Sequence, residues 1–282
     1  MNQEILNKSL SKALNGGMAG SAAMGTQVLS LMWLRTTMNY QYRHGSSTLT
    51  AFKTLYKDGG IPRFYRGLIP ALIQGPLSRF GDTAANSGIM YYLNQNPNTQ
   101  NLNVGTKSFF CSTGAALWRI VIMPIDSIKT NMQVNGKDGL KVLGNKIKTG
   151  GIPALYNGAA ASSSATFVGH FPWFFTYNYL NHKLPSYDDK MFLKFFRNGA
   201  IGFSASIISD TCSNSLRVIK TTKQTHNDNI SYTKAINTVI KKDGVSGLFL
   251  RGLKTRIIAN GLQSSLFTIT WKYFEKKINQ NP

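Results

Sequence analysis

Apolar residues along this chain gather into long stretches that are never wholly apolar. Gly16 to Leu34, Pro70 to Leu93, Lys107 to Met123, Ala159 to Leu180 and Phe192 to Ile208 each reach the length of a membrane-spanning helix with few charges. No run of 20 residues is entirely apolar and the mean hydropathy is -0.15, so hydropathy alone reads the chain as soluble. The stretches are instead rich in Gly, Ala, Ser and Thr, the small residues that let helices approach closely in lipid. Helices around a water-filled cavity keep a polar face, and this lowers their mean hydropathy. Between the long stretches, 49–57, 138–148 and 231–242 mix polar and apolar positions and predict short amphipathic helices.

The pattern repeats. "MPIDSIKTNMQ" (123–133) has counterparts in "SLRVIKTTKQ" (215–224) and, more degenerately, "SLMWLRTTMN" (30–39). Aligning them puts Arg35, Lys129 and Lys220 at one position, 94 and then 91 residues apart. A second element follows each: "GGIPRFYRGL" (59–68), "GGIPALYNGA" (150–159) and "DGVSGLFLRGL" (243–253). Their last glycines, Gly67, Gly158 and Gly252, lie 32, 29 and 32 residues after the aligned cation. Two elements in the same order, three times, predict three homologous units at about 11–98, 104–185 and 191–280. In the middle unit Pro124 should kink its helix, and Asp126 and Lys129 share one helix face.

Composition narrows the function. The 32 basic and 11 acidic residues give a net charge of +21, a field suited to nucleic acid, an anionic membrane surface or anionic solutes. The charges are spread over all three units rather than clustered on one face with stacking aromatics, which argues against a nucleic-acid partner. A soluble helical-repeat scaffold would show amphipathic stripes in place of Gly/Ala/Ser-rich runs and of "GHFPWFFTYNYL" (169–180). There is no metal-spaced Cys/His cluster, phosphate-binding glycine loop or nucleophile motif, so neither an enzyme nor a metal or cofactor is expected. Cys111 and Cys212 form no disulfide framework, and the N-terminal 17 residues lack the apolar core of a secretory signal. Charges inside spanning segments are costly and are functional candidates by default; Arg79, Asp82, Arg119 and Asp210 are four of these.

The Pro-x-Asp-x-x-Lys element at 124–129, its two degenerate copies and the glycine-rich aromatic element after each resemble the mitochondrial carrier family, over essentially the whole chain. The resemblance implies an all-α membrane fold: six transmembrane helices in three homologous two-helix repeats. Short matrix-side amphipathic helices join each pair, and the whole is pseudo-threefold around a central cavity. It implies a single chain in the mitochondrial inner membrane that carries a small anionic or zwitterionic solute by alternating access. No nucleic acid is expected as a partner. Membrane lipids are, with cardiolipin taken up by free N–H groups at the glycine pairs 59–60 and 150–151.

Family roles transfer position by position. On the matrix side the acid of one odd helix should pair with the base of the next, so Asp126 with Lys220, braced by Gln133 and Gln224, with Asn39 in the first repeat. Ser30 and Ser215 replace the proline and Met32 and Arg217 the acid, leaving one acid against Arg35, Lys129, Lys220 and Arg217. The cytoplasmic gate falls at Ser87 and Met90, Asn178 and Asn181, and Lys272 and Glu275, and should be polar rather than ionic. Solute contacts fall at Gln74 and Gly75, Ala165 and Thr166, and Ala259 and Asn260, with Arg79 and His170 one turn on. On odd helices the cavity position falls at Gly25, Arg119 and Asp210. Arg119 and Asp210 either contact solute or neutralise each other, Asp82 orients Arg79, and His170 either faces solute or packs among aromatics. Two arginines suit a carboxylate or phosphate by bidentate donation. A chain whose repeats have drifted out of transport is the alternative.

Overall fold

The computed structural model of the chain describes residues 2–185 and 191–263, and these are helical with no strand among them. The helices are α1 (Asn2–His44), α2 (Thr48–Phe64), α3 (Leu68–Gln95), α4 (Val104–Val121), α5 (Met123–Asn135), α6 (Gly139–Gly150), α7 (Ala159–Lys183), α8 (Met191–Thr225) and α9 (Tyr232–Leu250). A tenth, α10, occupies 253–263. Each third of the chain repeats one order: α1, α2 and α3; α4 and α5, then α6 and α7; α8, α9 and α10 as far as residue 263. The long helices pack in a ring, α1 on α3, α3 on α4, α4 on α7 and α7 on α8. The ring closes where Asn260 of α10 bonds Asp210 of α8 and Thr255 of α10 donates to Gln41 of α1 over 2.5 Å.

Local chemistry sets the boundaries. Ser47, Asn103 and Ser231 cap α2, α4 and α9 by accepting the N–H of Thr50, Thr106 and Lys234 at 3.2, 2.7 and 3.1 Å. Pro124 lies in the first turn of α5, where its missing N–H is tolerated. The axis turns by 65° between Gly105–Val121 and Met123–Gly150. The other two odd helices have no proline at the matching place, and α1 runs unbroken through Ser30 and Trp33, as α8 does through Ser215. Each of these residues keeps the backbone N–H that proline lacks, so the hydrogen-bond ladder continues.

Polarity runs inside out. Thr36, Gln74, Ser78, Asp126, Thr166, Asp210 and Thr221 are buried, while Ile69, Phe171, Phe175, Phe192 and Phe196 are at least 63% exposed. A water-soluble domain does the reverse. Among the described residues no single helix is long and apolar enough to pass as a span alone; the bent pair Gly105–Val121 and Met123–Gly150 passes together.

The repeat glycines lock the ring. Gly67, Gly158 and Gly252 have φ of 84°, 87° and 65°, a left-handed backbone open to glycine, and each begins an even helix. A Cβ on Gly67 would lie 3.1 Å from the Lys129 carbonyl, one on Gly158 3.0 Å from that of Lys220, and one on Gly252 3.3 Å from that of Met38. Each repeat thus seats its glycine on the odd helix of the next.

Candidate functional site: a cationic central cavity

The ring encloses a cavity of about 350 Å³. All six positions expected to contact solute on even helices line it: Gln74, Gly75, Ala165, Thr166, Ala259 and Asn260. Arg35, Arg79, Arg119, Lys129, Arg217, Lys220 and Arg256 face three carboxylates, Asp82, Asp126 and Asp210. Every carboxylate is already engaged. Arg119 is 2.6 Å from Asp82, and it also bonds Ser78. Asp210 is 2.5 Å from Arg256 and 3.8 Å from Arg217. One expected alternative is thereby corrected, since Arg119 and Asp210 do not neutralise each other, and Asp82 holds Arg119 rather than Arg79. The reason is adjacency, because Asp82 on α3 abuts α4, and Asp210 on α8 abuts α10. Arg79, exposed to the cavity, makes no side-chain hydrogen bond or ion pair among the described residues. Thr166 donates to its own helix at Ser162 O over 3.2 Å.

At the end carrying α2, α6 and α9 the odd helices converge. Asp126 Oδ2 lies 2.5 Å from Lys220 Nζ and Oδ1 2.7 Å from Lys129 Nζ. Gln224 donates to Asp126 at 3.2 Å and to Ser127 at 2.9 Å, and Lys129 donates to Gln74 at 2.9 Å. Asn39 donates to Gln133 at 2.6 Å. Arg35 reaches no carboxylate among the described residues; its guanidinium donates to Gln263 over 3.3 Å.

This end corrects the alignment of the first repeat by three residues. Met38, not Arg35, sits under Gly252 as Lys129 sits under Gly67 and Lys220 under Gly158. Thr36 donates to Phe64 O as Ser127 does to Leu155 O, at matching places in the two glycine elements. Buried cations agree: Arg63 donates to Gln133 O at 2.8 Å, Lys146 to Gln224 O at 3.1 Å and Arg251 to Tyr42 O at 3.3 Å. Each satisfies carbonyls at the C-terminal end of the next odd helix, where cations are favoured. Arg35 therefore stands in the acid position beside Asp126 and Arg217, Met38 in the base position, Tyr42 rather than Asn39 in the brace position, and Val28, which lines the cavity, replaces Gly25.

A family model of mitochondrial carrier proteins matches the chain three times, over residues 7–96, 100–188 and 192–282. The chain belongs to the mitochondrial carrier family. Members of that family transport solutes across the inner mitochondrial membrane and are not enzymes. This carrier is 24% identical to mitochondrial thiamine pyrophosphate carrier 1 of Meyerozyma guilliermondii over 75% of its own length and 74% of the relative's. It is 23% identical to mitochondrial substrate carrier family protein C of Dictyostelium discoideum over 98% of its length and 60% of that protein's. It is 31% identical to mitochondrial carrier protein CoAc1 of Zea mays over 50% of its length and 49% of that protein's. The matches thus span half to three quarters of these relatives.

The remaining positions of the carrier fall less neatly. His170 is not among the cavity-lining residues; its Nδ1 is 3.2 Å from Ser112 Oγ of α4, and its ring meets Phe174 edge-on. Asn181 is taken by Arg197, 2.8 Å away at the start of α8, rather than by another even helix. The Asn178 side chain, Lys272 and Glu275 lie outside the described residues. Sequence reasoning missed Arg256, the strongest cation on Asp210. A signal existed: Ala71, Ser162 and Arg256 each follow their repeat glycine by four residues, and all three line the cavity.

Proposed function

We propose that this carrier moves an anionic metabolite across the mitochondrial inner membrane by alternating access, as a monomer of six spanning helices in repeats at about 11–98, 104–185 and 191–280. One observation carries the reading: seven cations line the cavity against three carboxylates, all three already neutralised. Arg79, a lining cation with no side-chain hydrogen bond or ion pair among the described residues, is the group we assign to meet the solute. Guanidinium favours carboxylate or phosphate, and a relative named for thiamine pyrophosphate puts phosphate esters first in a screen. The zwitterionic alternative has less support because every lining carboxylate among the described residues already pairs with a cation, with only Asp82 Oδ1 left without a hydrogen bond. The conformation described is closed at the short-helix end, which we assign to the matrix, by Asp126, Lys129, Lys220, Gln224 and Gln133.

Thermal unfolding of the purified protein against a metabolite panel, followed by uptake into liposomes, tests this. Related phosphate- or carboxylate-bearing compounds should raise Tm and be taken up, and Arg79→Ala should abolish both effects. Uptake of none of the compounds that bind would favour a carrier fold that no longer transports.

A further inference from the structure

Among the described residues, the interface between the third repeat and the first has no ion pair in the gate. Its acid position is Arg217 and its base position Met38, and the acid position of the first repeat is Arg35. The two helices nevertheless send arginines across to each other: Arg35 of α1 reaches Gln263 of α10, and Arg256 of α10 comes within 4.0 Å of the Met38 sulfur of α1. Asn260 and Gln263 line the same cavity, and α1 packs on α10 through Leu31, Leu34 and Ala259. Asp210 is shared by Arg256, Arg217 and Asn260, and Arg35 makes no contact with it among the described residues. Cations at the closed end of a cavity, shielded from bulk water, are costly without a counter-charge.

We propose that the α1–α10 side of the cavity, with Arg35 and Arg256 as its donors, is an oxyanion site. Its occupant supplies the negative charge that the sequence lacks at this interface, and so helps the three odd helices close. Where Asp126 closes the second repeat onto the third from within the protein, a phosphate, sulfate or carboxylate group closes the third onto the first from outside it. This rests on the anion-carrier reading and adds to it: the anion is a component of the gate. That group is either a free inorganic ion or part of the transported solute. Guanidinium groups with several N–H donors suit an oxyanion with several acceptor oxygens better than chloride.

The test uses the full-length protein in detergent, at constant ionic strength with chloride as the background anion, titrated with inorganic sulfate or phosphate. Wild type should show a saturable rise in Tm with either oxyanion. Arg35→Gln should lose most of that rise. Arg35→Glu should lose the response to sulfate altogether. If a metabolite identified through Arg79 is present and sulfate adds nothing, the solute itself fills the site; if the shifts add, a separate inorganic ion does. No response to oxyanions over chloride overturns the proposal. So does a response lost in Arg79→Ala but kept in Arg35→Gln, which would place the anion at mid-cavity and leave the transport reading standing. Uptake failing while the Arg35-dependent shift persists would overturn transport and leave the site.

Discussion

The interface from the second repeat to the third and the interface from the third to the first have the same frame and opposite gates. In both, a left-handed glycine seats on the next odd helix, Gly158 under Lys220 and Gly252 under Met38. In both, a buried cation satisfies that helix's terminal carbonyls, Lys146 at Gln224 and Arg251 at Tyr42. Yet the first holds Asp126 between Lys129 and Lys220 with Gln224 behind it, and the second presents Arg217 to a methionine. The frame is threefold; the charge is not. Packing of the glycine seat and satisfaction of the terminal carbonyls recur at all three interfaces. Gate charges act on the balance between conformations, and one strong interface can set that balance with help from a ligand.

The largest break in the comparison should come from Asp126→Asn. Asp126 is 4% exposed and serves two lysines. Removing the charge strands both, and removing one partner of a buried ion pair costs about 3–5 kcal/mol. Thermal unfolding in detergent should show that loss. A fall no greater than that of a surface Asp228→Asn control would refute the asymmetry, because the gate would then contribute no more than an exposed pair.

The degree to which this was legible in the sequence follows the same division. The frame was legible because glycine seats and the short amphipathic helices need particular residue types at particular spacings. Gln74, Gly75, Ala165, Thr166, Ala259 and Asn260 were placed from those seats, and all line the cavity. The first repeat's gate was misregistered because it was aligned on charge, and charge is the part that varies. The spacing offered a correction: three residues separate α1 from α2 and α5 from α6, but six separate α8 from α9. A constant seat-to-glycine distance with a longer third loop puts Met38, not Arg35, beneath Gly252. The pairing of Asp82 with Arg119 was not legible, since it depends on which neighbouring helix each side chain meets in the ring.

Arg63→Gln sharpens the other half of the comparison. Arg63, 2% exposed, donates to Gln133 O and Val134 O at 2.8 and 2.9 Å and also bonds Asp58. Glutamine cannot serve both carbonyls and the carboxylate, so buried acceptors are left unpaired at a cost of about 1–3 kcal/mol. Arg251→Gln should cost a similar amount, because its contacts to Tyr42 O, Arg43 O and Asp243 repeat the pattern. Tm losses that differ widely between the two variants would show that the frame is not threefold in energy.

The smallest effect distinguishes the three caps from one another. Arg63 and Arg251 carry carboxylate partners, Asp58 and Asp243, while Lys146 is 1% exposed and rests on the carbonyls of Lys223 and Gln224. Burial, and then the nearby Lys223 and Arg43, push its ammonium down to about 8 from 10.5, with Asp228 opposing. Below about pH 8 both folded and unfolded chains hold the proton, and the penalty for burying the charge is fully present. Between about 8 and 10.5 the folded chain releases the proton and the unfolded chain keeps it, so stability rises with pH across that window. Lys146→Arg remains charged throughout. Wild type should therefore gain Tm relative to Lys146→Arg as pH climbs from 8 toward 10.5, and a constant difference would mean that this cap stays charged like the other two.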